Sequence, residues 1–563
     1  MPTIEVERED LEALLGQKLP EDPEKLDEIL SFIKGEAKSV NEEEIHIDIK
    51  DSNRADLWSV EGIARALRGM LNIEKGLKRY EVVGSSGVKI VVDESLENIR
   101  SYIACAVVKG VKLSDAAIRH IMRFQDKMDQ TYGRGRRRTS IGIYDFDLVS
   151  PPLRYTVSKP DETKFVPLGF DEELTLAEIL EKHPKGIEYG YIVKPFNVWP
   201  IFIDSKDKVL SFPPIINSND LGRVTVDTRN ILVEVTGTKY KTVLYTLINV
   251  ALALADRGGK IYSVEIHYPY EKLGRVVTPN LETEKMRVNI EYIRKVVGIP
   301  LSSQEIVDLL ERSRYGVSKI TDKEVIVEIP CYRPDIMHPI DIVEDIAIAY
   351  DLNKMQPRWP QISTVGGLLE ETQLRDLVRE LMVGLGYQEV LTFTLTSPEV
   401  LFKRMNIPLE RVVEIANPKV SSMTCLRNWL LPALMEFLSH NTHVEYPQKI
   451  FEVGYCVVYD ENQINKSRDI EKLACVTIHS NASFSEAKSV LDALFTNLGL
   501  KYSLEEESHG SFIDGRAGRI IVKDEKIGLI GEIHPQVLQN WGLENPAAAF
   551  EIDLSKIWRH LQR

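Results

Sequence analysis

Apolar positions change their period several times along this chain, and each change marks an element. Over 25–34 the residues Leu26, Ile29, Leu30 and Ile33 follow a 3.6-residue repeat, which predicts an amphipathic helix stopped at Gly35. IHIDIK then alternates with period two and predicts a strand. The next stretch, DSNRADLWSVEGIARAL, holds the turn and capping residues Asp51, Ser52, Asn53 and Asp56 ahead of a helix from about Val60. KMRVNI and EVIVEI alternate again, and between them Ser302 and Glu305 form a capping box for the helix QEIVDLLERS. The longest apolar run, 243–255, contains Asn249 and is too short to span a bilayer, so it predicts a core helix. Later, Leu374, Leu377, Val378, Leu381, Met382 and Leu385 form a helical core stripe. Strand patterns follow it: EVLTFTLTS, the pair FEVGYCVVYD and KLACVTIHS, then 527–532 and 547–553.

This order predicts an α+β multidomain chain, since a long helix followed by mostly antiparallel strands implies a sheet domain. At 563 residues the chain exceeds a single core and fits about three to five domains. Four segments emerge: 1–95, 96–270, 271–355 and 356–563, with the proline-bearing linker QPRWPQIS as the clearest boundary. The net charge of −15 excludes a protein that coats nucleic acid indiscriminately, but leaves room for a local basic patch. GRGRRR, with Arg134, Arg136, Arg137 and Arg138, is the densest such patch; it reads as a solvated loop or as a contact for phosphates or another subunit. Five scattered cysteines without a CxxC pair suggest reduced thiols in a cytoplasm. MPTIEVERED lacks an apolar signal region, so a soluble cytoplasmic protein without a membrane anchor is expected.

The segment PCYRPDIMHPIDIVEDIAIAY concentrates acidic chemistry. Pro339 suits the first position of a helix, where its missing N–H costs nothing. Asp341, Glu344 and Asp345 then stand at i, i+3 and i+4 on one flank, and Asp335 can reach back toward them. Crowded carboxylates need protons, cationic side chains or a hard cation between them, and oxygen-only ligands suit Mg2+. Acidic residues in a first helical turn are also favoured by the macrodipole alone. Spacing leaves both readings open.

Eight phrases occur in one order across nearly the whole length: DSNRADLWSVEGIAR, SFPPIINSND, VEVTGTK, PCYRPDIMHPIDIVEDIAIAYD, LRNWLLPALM, KIFEVG, FIDGRAGRI and GEIHPQVLQNWGLENPAAAFEID. Together they resemble the phenylalanyl-tRNA synthetase beta-chain family in its shorter archaeal and eukaryotic-type form. The resemblance implies an N-terminal α/β module, a mixed editing domain, a winged-helix-like B5 module and a class II synthetase-like antiparallel-sheet domain that has lost catalysis. It implies no OB-fold insertion near the N terminus and no C-terminal anticodon-binding module. Class II activation uses arginines that clamp ATP, one of them after a glycine-rich strand. AAAFEIDLSKIWRHLQR has no such glycine-rich approach, and Arg427 in CLRNWLLPAL reads as structural.

The resemblance also implies partners and sites. A phenylalanyl-tRNA synthetase alpha subunit carries aminoacylation, two alpha and two beta chains form a heterotetramer, and tRNA(Phe) is bound. Asp335, Asp341, Glu344 and Asp345 match the family's Mg2+ positions, an ion shared with the alpha subunit. In ILVEVTGT, Leu232, Glu234 and Thr236 share one face of a strand. LSFPPIINSND adds a wall of Pro213 and Pro214, with Ser211, Asn217 and Ser218 as hydrogen-bonding groups. The expected editing pocket comprises Ser211, Asn217, Glu234 and Thr236, and rejects phenylalanine while holding tyrosine for hydrolysis by a positioned water. Glu234 and Thr236 read equally as ordinary strand residues, and Asn217 as a turn residue. Two competing functions remain: a stand-alone nucleic-acid-binding scaffold, and a Mg2+-dependent phosphotransferase, which would lack a phosphate cradle.

Overall fold

IHIDIK becomes the middle of a three-stranded antiparallel sheet, where Glu44–Ile49 lies between Thr3–Glu7 and Gly35–Val40. The computed structural model describes residues 3–41, 43–51, 53–270, 273–360, 362 and 364–561, so Ser52 lies outside the described residues. The helix Pro23–Ser31 ends before the expected Gly35, because Lys34 takes the left-handed conformation (φ 53°) and Gly35 already begins the strand. The next helix, Val60–Met70, is capped by Ser59, whose hydroxyl accepts from Gly62 N at 3.0 Å. Asp56 is instead held by Arg54, at 2.9 and 2.8 Å.

A ten-stranded sheet positions the main cleft. Its path runs from Ile216–Asn217 through Val209–Phe212, Trp199–Ile203, Leu153–Ser158 and Val82–Val92. It continues through Lys260–His267, Tyr102–Lys109 and Asn230–Gly237 to Thr139–Asp145, while Arg275–Thr278 pairs beside Lys260–His267. The sheet therefore extends past 96–270 on both sides. Strand alternation divides its faces. Val233 and Val235 join the core under the helix Tyr240–Asp256, the expected core helix. Leu232 packs on the opposite face with Cys105, Val107, Tyr144 and Tyr155.

The two ends of this path bend back toward each other. Asn217 Nδ2 donates to Ile143 O at 3.3 Å, joining the first strand to the last. Arg136 adds a clamp, donating to Pro214 O at 3.2 Å and Ile215 O at 2.8 Å. A seam results, and polar side chains are sealed along it.

Residues 284–350 form a smaller body in which Glu324–Ile329 pairs between Glu284–Asn289 and Gly316–Ile320. The Ser302–Glu305 capping box starts Ser303–Arg312 as expected, and Pro339 opens Pro339–Tyr350 at its first turn. A third helix, Ile290–Val297, adds to the two that the pattern predicts; its eight residues, all that lie between the strand ending at Asn289 and Gly298, are too few to show a helical period.

The chain divides into the units Met1–Trp359 and Pro360–Arg563. The second carries a seven-stranded sheet in the order Gln388–Glu389, Gln448–Tyr459, Ser467–Ile478, Ala547–Asp553, Glu525–Ile533, Phe512–Val522 and Ser503–Glu506. The hairpin pair and both later strands match expectation. EVLTFTLTS does not form one strand: only Gln388–Glu389 and Leu395–Thr396 pair, and Leu391 and Phe393 are 88% and 77% exposed. In the stripe helix Glu370–Gly384, Leu374, Val378 and Met382 are buried whereas Leu377 is 44% exposed. The chain is thus a mixed α/β multidomain protein. No described helix is long and apolar enough to cross a membrane.

Candidate functional site

Glu234 occupies the middle of Asn230–Gly237, opposite Cys105 on one side and Gly142 on the other. Its carboxyl is buried at the seam and lines a cavity of about 290 Å³ together with Ser211, Pro213, Pro214 and Asn217. Tyr144 donates its hydroxyl to Glu234 Oε2 at 2.6 Å, and Ser211 Oγ lies 3.4 Å from the same oxygen. Asn217 Oδ1 stands 3.5 Å from the Tyr144 hydroxyl. Gly142 leaves the carboxyl its room: a Cβ there would come within 2.5 Å of Glu234 Oε2 and 2.3 Å of Tyr144 Oη. Burial pushes the Glu234 carboxyl up to about 7, against the hydrogen bond from Tyr144 and the charge of Arg100. The group therefore titrates where cells work.

Three of the four expected pocket residues, Ser211, Asn217 and Glu234, come together there. Thr236 does not. It is fully buried behind the pocket, where Arg100 donates to its Oγ1 at 2.9 Å and to its carbonyl at 2.8 Å. Arg100 also donates to Ser140 Oγ and to Arg136 O, so it fastens two strands and the basic loop from within. The GRGRRR run divides accordingly. Arg134 and Arg137 are exposed, while Arg136 turns inward, 2.9 Å from Asp129 and 4.4 Å above the Tyr189 ring. Burial pushes the Asp129 carboxyl up to about 7 even so. Tyr144, Gly142 and Arg100 escape sequence reasoning, and Arg136, read there as part of a basic surface run, clamps the proline wall instead. The alternation Ser140, Gly142, Tyr144 in SIGIYDFD was the available signal, since it puts all three on one face.

The four acidic residues around Pro339–Tyr350 are not gathered. Asp341 caps its own helix, accepting from Met337 N and His338 N at 2.8 Å through Oδ2. Glu344 points outward to Lys34 Nζ at 2.7 Å. Asp335 takes a two-pronged contact from the buried Arg333, Nε to Oδ1 at 2.9 Å and Nη2 to Oδ2 at 2.7 Å. Asp345, also buried, receives Arg333 Nη1 at 2.9 Å and the Tyr315 hydroxyl at 2.6 Å. Burial opposes charge on Asp345, but Arg333 and Arg54 outweigh it and hold the carboxyl below its ordinary range. A protein cation thus stands where an ion between these two acids would sit. The donor chemistry suits a hard cation, but the arrangement does not enclose one. Among the described residues, no group of three or more His, Cys, Asp or Glu is placed to hold a metal.

Arg427 is structural, as its reading predicts. It pairs with Glu452 at 2.8 Å, both buried, and donates to Thr392 Oγ1 at 2.7 Å and Tyr455 O at 3.0 Å. It is not free to clamp a phosphate.

Comparison with known proteins supplies an independent line. The family model described as the phenylalanyl tRNA synthetase beta chain CLM domain matches residues 355–554, and the tRNA synthetase B5 domain matches 286–352. The phenylalanine–tRNA ligase beta subunit of Pyrococcus furiosus is 47% identical over 563 residues, covering 99% of this chain and 100% of its own. That of Methanocaldococcus jannaschii is 42% identical over 558 residues, covering 98% and 100%. A solved N-terminal fragment of the phenylalanyl-tRNA synthetase beta-subunit from Pyrococcus horikoshii gives a TM-score of 0.59 at 43% identity. It covers 62% of this chain and 99% of that one.

Two stability measurements check these geometries. Arg333→Met leaves Asp335 and Asp345 buried without their cation, and is expected to cost roughly 3–5 kcal/mol; an unchanged melting temperature would reject that role. Folded Glu234 keeps its proton to about 7 whereas an unfolded glutamate releases it near 4.5, so its contribution declines as pH rises through that window. The decline is on the order of 3 kcal/mol. Glu234→Gln should therefore shrink the loss of melting temperature between about pH 5 and about pH 8, with Asp129 retaining part of the slope. An identical loss in both proteins would contradict the burial.

Proposed function

The chain belongs to the phenylalanine–tRNA ligase beta-subunit family, and on that premise we propose a division of labour between two chains. A partner alpha subunit joins L-phenylalanine to tRNA(Phe) with ATP, and this chain hydrolyses Tyr-tRNA(Phe) formed in error. One observation carries the reading: a buried carboxyl, Glu234, closes a small cleft and is held by Tyr144 and Ser211. A tyrosyl hydroxyl reaching that carboxyl satisfies it, whereas a phenylalanyl ring covers it and offers no hydrogen bond. Leaving a buried polar group unpaired discriminates far more strongly than one missing methylene. Ser211 and Asn217 line the same cleft, and Thr236 acts from behind by fixing Arg100. No serine–histidine nucleophile is needed, because a water held by these polar groups can attack the ester.

The segments take their roles from the same reading. The sheet around Glu234 is the editing domain, residues 271–355 are the winged-helix-like B5 module, 356–563 are an inactive class II core, and 1–95 are an N-terminal module. The sealing of Arg427 by Glu452 supports a core that activates no amino acid itself. Two alpha and two beta chains assemble in the cytoplasm. Magnesium belongs to that assembly: Glu344 is 59% exposed, and Asp341 caps its helix through Oδ2 alone, so these two are the carboxylates a partner-shared ion would use. Asp335 and Asp345 remain neutralised by Arg333.

Glu234→Ala in the assembled enzyme is expected to collapse the preference for hydrolysing Tyr-tRNA over Phe-tRNA by on the order of a hundredfold or more. A preserved preference would remove Glu234 as the reader. For the metal, EDTA should leave the melting temperature of the isolated chain unchanged. In Mg2+, Glu344→Ala with Asp341→Asn, which keeps the helix cap, should weaken alpha-subunit association measured by sedimentation. Unaltered association in the double variant would place the ion elsewhere.

A further inference from the structure

The loop GRGRRR carries backbone strain that an ordinary solvated loop would shed. Arg134, Gly135 and Arg136 stand in succession in the left-handed region, at φ 52°, 62° and 62°. Only the glycine adopts it without cost, so two arginines are held there by their surroundings. Arg136 N donates to Asp129 O at 3.0 Å, Gly135 N to Gln130 O at 3.1 Å, and Arg100 Nη1 to Arg136 O at 3.0 Å. The strained turn directs the Arg136 side chain inward while Arg134 and Arg137 stay exposed.

Inside, the guanidinium meets three elements at once. Its Nε lies 2.9 Å from Asp129 Oδ2, near the end of Asp115–Gln130. The group sits 4.4 Å from the ring centre of Tyr189, the last residue of Pro184–Tyr189. Its Nη1 donates to Pro214 O at 3.2 Å and to Ile215 O at 2.8 Å. Those two carbonyls belong to the tip of a hairpin, because Ser211 pairs with Asn217 and Phe212 with Ile216 on either side of it. Pro213 and Pro214 have no N–H, so carbonyls are the main handles by which the tip can be held. The base of the hairpin carries Ser211 and Asn217, and its tip walls the cavity that ends at Glu234.

We propose that Arg136 is a positioning residue for editing: by fixing the hairpin tip it sets the width of the Glu234 cavity, so that selection by ring size is separate from selection by the hydroxyl. This rests on the editing reading above. Arg136 acts through the proline wall, and the hydroxyl is left to Glu234. The planar fork of an arginine spans the carbonyls and Asp129 while its face covers Tyr189. A lysine ammonium keeps the charge but is a point donor without a plane.

The test measures hydrolysis by the assembled enzyme of three esters on tRNA(Phe): tyrosyl, phenylalanyl and 3-iodotyrosyl, the last keeping the hydroxyl on a wider ring. The natural enzyme is expected to prefer tyrosyl over 3-iodotyrosyl by about tenfold or more. Arg136→Lys should cut that preference at least about fivefold, while the preference for tyrosyl over phenylalanyl stays within about twofold because Glu234 is untouched. Asp129→Asn, which removes the carboxylate that anchors the guanidinium, should shift the size preference in the same direction. Arg137→Lys, on the exposed side of the loop, should leave both preferences as they are. Melting curves show which variants fold. An unchanged size preference in folded Arg136→Lys, or in Asp129→Asn where the lysine variant does not fold, overturns the inference. So does a natural enzyme that cleaves the tyrosyl and 3-iodotyrosyl esters equally. Two preferences that fall together also overturn it, since Arg136 would then act on Glu234 rather than on width. In each of these cases the Glu234 reading stands. Absence of any Tyr-tRNA hydrolysis by the natural enzyme overturns the editing reading and the role of Arg136 with it.

Discussion

Closure of a curved sheet on itself is the constraint from which the rest of the first unit follows. When Ile216–Asn217 approaches Thr139–Asp145, every side chain along the seam loses water unless it reaches into the cleft. Polar groups so placed need partners, and the chain supplies them: Arg100 for Thr236 and Ser140, Arg136 for the carbonyls of the proline wall, Tyr144 for Glu234. Gly142 keeps the space above the carboxyl open. Removing the closure would leave the same residues on an ordinary open sheet, with Glu234 solvated.

Around Pro339–Tyr350 the same rule gives a different result. Two acids are buried and answered by one arginine, and two others stay near the surface, one capping the helix and one meeting Lys34. Lys34 also contacts Asp51, which ties the acidic helix to the N-terminal strands. The burial of Arg333 makes this an internal joint first. Any shared ion is then left to the exposed Glu344 and the half-buried Asp341.

The contrast shows what a sequence discloses. Period and caps located most elements, including the Ser302–Glu305 box, the Pro339 helix start and the hairpin Gln448–Tyr459 with Ser467–Ile478. Spacing on one helix puts Asp341, Glu344 and Asp345 on a flank, but cannot say which cation each will meet, because Lys34 and Arg333 arrive from other elements. Strand parity placed Leu232, Glu234 and Thr236 on one face, yet burial along the seam sends Glu234 into the cleft and Thr236 behind it. Curvature is a tertiary property, so Tyr144 and Arg100 stayed invisible until two strands far apart in sequence met. EVLTFTLTS failed for the converse reason: it has strand composition, but at Leu391 and Phe393 the chain finds no neighbouring strand to pair with.

The central claim is that an ionisable, buried carboxyl reads the substrate hydroxyl. Its most direct test is the ratio of Tyr-tRNA to Phe-tRNA hydrolysis by the assembled enzyme, followed from about pH 6 to about pH 8. A charged carboxylate accepts a phenolic hydrogen bond more strongly than its protonated form. The ratio should therefore rise with pH around a midpoint near the Glu234 value of about 7, and be flat in Glu234→Gln. A ratio independent of pH in the natural enzyme would contradict the claim.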